Sequence, residues 1–161
     1  MHLTDVLKYG NRTLLHTVEA LPAADWTEPG VCGYWSVKEI IDHLDSFECF
    51  LSEVLEIAGG ARVDHGPYLS EWLADGQAFN DAQVPARAAL SPQQSLAEYQ
   101  RNHARNVEYA ASLTTQQSRR AGFLPAYGAE YDLEDFVAYS FYGPKREHSS
   151  QIAVFRDRIG R

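Results

Sequence analysis

The chain has 161 residues, 45% of them hydrophobic, and a formal net charge of -8. That length suits one domain, 1–161, whose core needs neither disulfide nor metal to fold. The acidic balance argues against nucleic acid, whose phosphates need a positive patch, and no apolar run approaches the ~20 residues of a membrane span.

The N-terminal stretch MHLTDVLKYG lacks the basic-then-apolar order of a signal peptide, so a cytoplasmic location is expected. Cys32 and Cys49 form neither a CxxC pair nor a metal knuckle. A disulfide between them is disfavoured in the cytoplasm, and Cys49 falls in a helical run where a buried thiol is expected.

A first helix is predicted from Leu3 or Thr4 to about Ala20, with Thr4 as cap and Leu7, Leu14, Val18 and Leu21 on one face. Leu21-Pro22 ends it, because proline disfavours helix in the residue before it. Pro22 to Trp35 reads as a loop punctuated by Pro29-Gly30 and Gly33, with Trp26, Tyr34 and Trp35 packing it down. Ser36-Val37-Lys38-Glu39 is a capping box that opens a second helix. Val37, Ile40, Ile41, Leu44, Phe47, Leu51, Val54 and Leu55 form its apolar stripe, and Gly59-Gly60 stops it. Asp42, Asp45, Glu48 and Glu53 read as its solvated face, the usual meaning of such charges.

Ala61 to Leu90 reads as irregular, with turn markers at Gly66-Pro67 and Pro85 and a short helix near Leu69 to Leu73 carrying Trp72. Connections this long often cover a site. Ser91-Pro92 opens a third helix, Gln94 closes a second capping box, and Leu96, Tyr99, His103, Val107, Ala110 and Ala111 share a face up to about Leu113. After a small, polar stretch from Thr114, the last helix begins at Tyr131 or Asp132. Phe136, Val137, Phe141, His148, Ile152, Phe155 and Ile159 face inward along it, and Pro144 should kink or split it. With no alternating β pattern, the chain is expected to be all-α, with about four main helices and two long connections.

His43 and His148 belong to inward stripes on different helices, so their imidazoles are expected to meet in the core. Two readings stand side by side: a functional pair, or two core histidines satisfied by ordinary hydrogen bonds. His103 is a third candidate from periodicity, read as partly buried. His16 is expected to be exposed, and His2 and His65 lie in loop positions. Glu39 is expected to serve the capping box and to be within reach of His43. Trp35, Phe47, Phe141 and Tyr142 would wall a pocket around the pair, with Gln151 beside His148. No serine elbow, Walker loop or dinucleotide glycine motif is present.

Two segments together resemble the DinB/YfiT-like superfamily. One runs Leu21-Pro22, Trp26, then Gly33-Tyr34-Trp35-Ser36 through Ile40-Ile41-Asp42-His43-Leu44; the other is Tyr142-Gly143-Pro144 through Glu147-His148-Ser149-Ser150-Gln151-Ile152. The resemblance implies an up-down-down-up four-helix bundle with long connections. It also implies a divalent metal, zinc or nickel, on three histidines: one from the second helix and two, four residues apart, on the last. His43 matches the first position and His148 the final one. The remaining position falls on Pro144, which cannot bind a metal. The resemblance further implies hydrolysis or thiol-dependent transfer on a small electrophile, linked to stress or detoxification, and a homodimer. A non-catalytic binding protein for a small apolar molecule and a structural or regulatory dimer are the alternatives.

Overall fold

The computed structural model describes residues 2–19 and 21–161. It is all-helical, with no strand among the described residues; one isolated antiparallel bridge joins Cys32 and Trp35. The helices are α1 (Leu3–Glu19), α2 (Val37–Gly59), α3 (Pro67–Ala74), α4 (Gly76–Ala86), α5 (Pro92–Ser112), α6 (Thr115–Ser118), α7 (Leu133–Val137) and α8 (Gly143–Arg158). A 3-10 turn, Ala23–Thr27, precedes α2, and a π turn, Ala138–Tyr142, joins α7 to α8. Among the described residues no helix is long and apolar enough to cross a membrane.

The starts follow the chain's own caps. Ser36 and Glu39 close a capping box on α2, and Ser91 and Gln94 close one on α5. Asp132 caps α7 with Asp135. Gly60, in the left-handed region at φ 81°, ends α2. Thr4 lies inside α1, not at its cap; its Oγ1 sits 2.8 Å from His2 Nδ1. The expected end of α1 at Ala20 lies outside the described residues.

The region read as irregular holds two helices, α3 and α4. Pro67 starts α3 at a position where a missing amide hydrogen costs nothing. Gly66 offers no side chain to cap it, and Glu53 on α2 takes that role. Its carboxylate accepts from the amides of Leu69 at 2.8 Å and Tyr68 at 3.3 Å. A Cβ at position 66 would meet that carboxylate at 2.2 Å, so glycine is what lets it in. Asp75 accepts from the amides of Gln77 and Ala78 and so starts α4.

α2 packs against α5, and α1 packs against α8 and α5. Two apolar clusters result. One gathers Leu3, Leu7, Phe50, Leu55, Ala110 and Phe136; the other gathers Leu14, Val18, Ile41, Leu44, Tyr99 and Ile152. In sequence a set of buried polar residues falls between them on α2, α5 and α8.

That polar layer corrects the reading of α2. Asp42, Asp45, Glu48 and Glu53 are not a solvated face; they are 0%, 2%, 0% and 7% exposed. Each carboxylate is buried because a partner meets it. Lys38 bonds Asp42 at 2.6 Å, Arg87 bonds Asp45 at 2.9 Å, and Asn102 reaches Asp45 at 2.7 Å. Glu48 is bound by the Lys145 ammonium and by Asn106 at 2.7 Å, with His103 Nδ1 at 3.1 Å. His103 Nδ1 is also 3.4 Å from Lys145 Nζ. One ring nitrogen cannot donate to Glu48 and accept from Lys145 at once, so the shorter contact sets its role. Burial alone would raise the Glu48 carboxyl; the Lys145 charge and His103 outweigh that and hold it at about 2.

Along the last helix, Val137, Phe141, Lys145 and Ser149 are all buried and spaced four apart. That is 12 residues over three turns, whereas a regular α-helix takes about 10.8. The π turn supplies the extra residue, as such bulges do. It also lies directly before Pro144, which sits in the first turn of α8 where its missing amide is tolerated. The expected split at Pro144 therefore takes the form of a π turn just upstream.

Three outcomes are expected for the layer. Glu48→Ala strands the Lys145 ammonium, so urea unfolding should show a loss of about 3–5 kcal/mol. Glu48→Leu with Lys145→Met should cost well under the sum of the two single changes. The Glu48 carboxyl is depressed from 4.5 to about 2 on folding, so its stabilisation is complete above pH 4.5. It is lost as pH falls towards 2, by about 3 kcal/mol in total, and Glu48→Gln should remove that part of the acid dependence.

Candidate functional site

His43 lies two turns into α2, placed by the Ser36 cap, and His148 lies one turn into α8, beyond Pro144. They are 6% and 9% exposed. Their rings meet edge to face, centroids 5.2 Å apart and 77° between planes. Trp35 lies against His43 at 5.0 Å and Phe47 at 4.7 Å. His148 Nδ1 is 2.8 Å from Gln151 Oε1. Both imidazoles are held neutral by burial. His43 is pushed down to about 3, with His148 adding to the effect and Asn80 opposing it. His148 is also lowered by burial, with Gln151 and Glu147 opposing.

The other expected pocket residues divide. Phe141 meets Phe47 edge to face, centroids 6.0 Å apart. Tyr142 turns towards α1, where a Cβ on Gly10 would meet its ring at 3.2 Å. Glu39 is committed to its cap: Oε2 accepts from Ser36 N at 2.7 Å and Ser36 Oγ at 2.8 Å. It opens onto a separate concavity shared with Lys38, Asp42 and Pro85. His103 is buried in the Glu48 layer, while His16 and His65 are exposed.

Asn80 is the site residue that sequence reasoning missed. It lies on α4, beside Phe79, whose ring packs on Phe47 at 5.9 Å. The available signal was Asp75, a helix cap placed just ahead of it. Cys49 is a free thiol near Arg87 and Asn102. Burial pushes it up, and the Asp45 charge adds to this, so it is not an activated thiolate.

The residues present do not fit a three-donor metal site. Pro144 offers no donor at the third position. Glu48 and His103 are engaged with each other, and Glu147 is exposed and 3.3 Å from the Gln151 amide. Among the described residues no group of three or more histidine, cysteine, aspartate or glutamate side chains is gathered as a metal ion would need.

A comparison with protein families matches residues 9–131 to the mycothiol maleylpyruvate isomerase N-terminal domain. The chain belongs to this family. The family is part of the DinB/YfiT-like superfamily. The matched span carries His43 and Asn80 and stops before His148. No curated protein and no solved structure matches the chain.

The neutral His43 predicts a stability loss on acidification. Its folded value near 3 lies below its ordinary 6.5, so the unfolded chain takes the proton first. Stability is complete above pH 6.5 and falls as pH drops towards 3, by about 1.4 kcal/mol per unit at most. Thermal melts between pH 7.5 and 5 should show the slope, and His43→Gln should flatten it.

Proposed function

We propose that the chain binds a small, donor-bearing molecule at the His43/His148 pair and does so without the metal that the superfamily resemblance implies. In this reading α1, α2, α5 and α8 form the up-down-down-up four-helix bundle, with the pair between α2 and α8. The observation that carries it is the meeting of two buried, neutral imidazoles from different helices against Trp35 and Phe47. An apolar wall with a few convergent polar groups is what a small-molecule site requires. The family's description names mycothiol, which supports a low-molecular-weight thiol or its adduct as the ligand.

Thiol-dependent transfer is the second reading, and the same family description favours it. Its difficulty is energetic. Moving a proton from a thiol of ordinary pKa ~8.5 to an imidazole near 3 is uphill by about 7 kcal/mol. Such an imidazole accepts a hydrogen bond far more readily than it accepts the proton, which supports binding over base catalysis.

Protein purified without a histidine tag should hold less than one equivalent of zinc or nickel and show no melting shift with either. A stoichiometric metal, lost in His43→Ala, would overturn the metal-free reading. Tryptophan emission titrated with benzyl mercaptan, a small thiol, should change saturably, and the change should vanish in Trp35→Phe. In His148→Ala binding should weaken about tenfold, the effect of one lost buried hydrogen bond. No saturable change in the wild-type chain would count against the site.

A further inference from the structure

Two buried side-chain atoms have no hydrogen-bond partner in the structure: Nδ1 of His43 and Oδ1 of Asn80. Asn80 is the side chain that opposes the effect of burial on His43. Each orphan would cost about 1–3 kcal/mol if left unmet. A small side-chain adjustment that brings Asn80 Oδ1 onto a proton at His43 Nδ1 would satisfy both at once. The same pattern exists on the other helix, where Gln151 Oε1 lies 2.8 Å from His148 Nδ1. Of the other rings against His43, Trp35 and Phe47 offer no acceptor and His148 Nδ1 is engaged with Gln151, while Ser46 Oγ is occupied with the His43 backbone carbonyl at 2.6 Å.

We propose that Asn80 and Gln151 are paired positioning residues: each side-chain oxygen takes the Nδ1–H of one histidine, so that both imidazoles present a bare Nε2. The hydrogen bond on one ring nitrogen decides which nitrogen is left free. Two bare acceptors cannot bond each other. They select a ligand group that donates, such as a thiol, hydroxyl, amide or ammonium hydrogen, and they disfavour carboxylates and ethers. α4 is built to deliver this contact: Asp75 caps it, Phe79 anchors it at 2% exposure, and Asn80 follows. This ligand class rests on the binding reading above; the tautomer assignment does not.

The test is a long-range proton–nitrogen NMR spectrum of the ¹⁵N-labelled, chelator-treated full chain at pH 7.5. His43 and His148 should both appear as the Nδ1–H tautomer, which is the rarer form in free imidazole side chains. Asn80→Ala should move His43 towards Nε2–H and leave His148 unchanged, while Asn80→Asp, which keeps an acceptor oxygen, should restore it. Gln151→Ala should do the same to His148 alone. An intact amide spectrum in each variant separates this from unfolding. An Nε2–H tautomer on wild-type His43, or no change in Asn80→Ala, would overturn the proposal. For the ligand class, benzyl alcohol should bind about fivefold more tightly than benzyl methyl ether, since one donor is worth about 1 kcal/mol. Equal affinity would refute donor selection. If neither probe binds but the tautomers are as stated, the binding reading falls and the positioning role stands.

Discussion

The Glu48–Lys145 ion pair is the constraint around which the other buried groups are arranged. Both side chains are essentially without solvent access. A buried pair is tolerable only when its remaining donors and acceptors are also met. Asn106 and His103 from α5 do this for Glu48, and the aliphatic stem of Lys145 runs past Gly10 of α1. The lysine ammonium also lies 5.4 Å from the centre of the Tyr99 ring, and Tyr99 in turn donates to Asn11 of α1 at 2.9 Å. Residues of α1, α2, α5 and α8 are thereby tied to one point. Apolar packing alone permits sliding along a helix axis; a fully satisfied charge cluster permits one register.

The histidine pair inherits that register. His148 follows Lys145 by three residues and His43 precedes Glu48 by five, so both rings are carried by the helices the ion pair locks. The two groups nevertheless differ in kind. The Glu48 layer has its partners supplied by the chain. The His43/His148 pair is edged by aromatic rings and amide side chains, and its environment keeps both rings uncharged. One cluster is closed by its own ion pair; the other leaves His43 Nδ1 without a partner.

Much of this was legible in the chain. Ser36-Val37-Lys38-Glu39 and Ser91-Pro92 announced α2 and α5 because a cap is a local device, readable from three or four residues. The stripes carrying His43 and His148 were readable because helical periodicity is local too. The acidic residues of α2 misled for the opposite reason. Charge on one helix reads as solvated unless its partners are known; Asp42 has a local one in Lys38, but the partners of Asp45 and Glu48 lie at Arg87, Asn102, Asn106 and Lys145, far along the chain. α4 was missed because its start depends on one aspartate and its packing on Phe79, with no strong stripe of its own. Asn80 was invisible with it. In hindsight the amides and histidine at 102, 103 and 106 formed a polar face on α5 that matched the acidic one on α2.

The π turn at Ala138–Tyr142 acts on α8 as a frame shift acts on a message. Each residue of a helix advances the side chain by about 100°. Removing one residue from that turn would leave α8 helical and its composition nearly unchanged, yet every side chain beyond it would point a quarter-turn or more away. Lys145 and His148 would leave the interior together. The ion pair and the histidine pair therefore share a single phase, and a drift that preserved each residue but altered the count between them would abolish both.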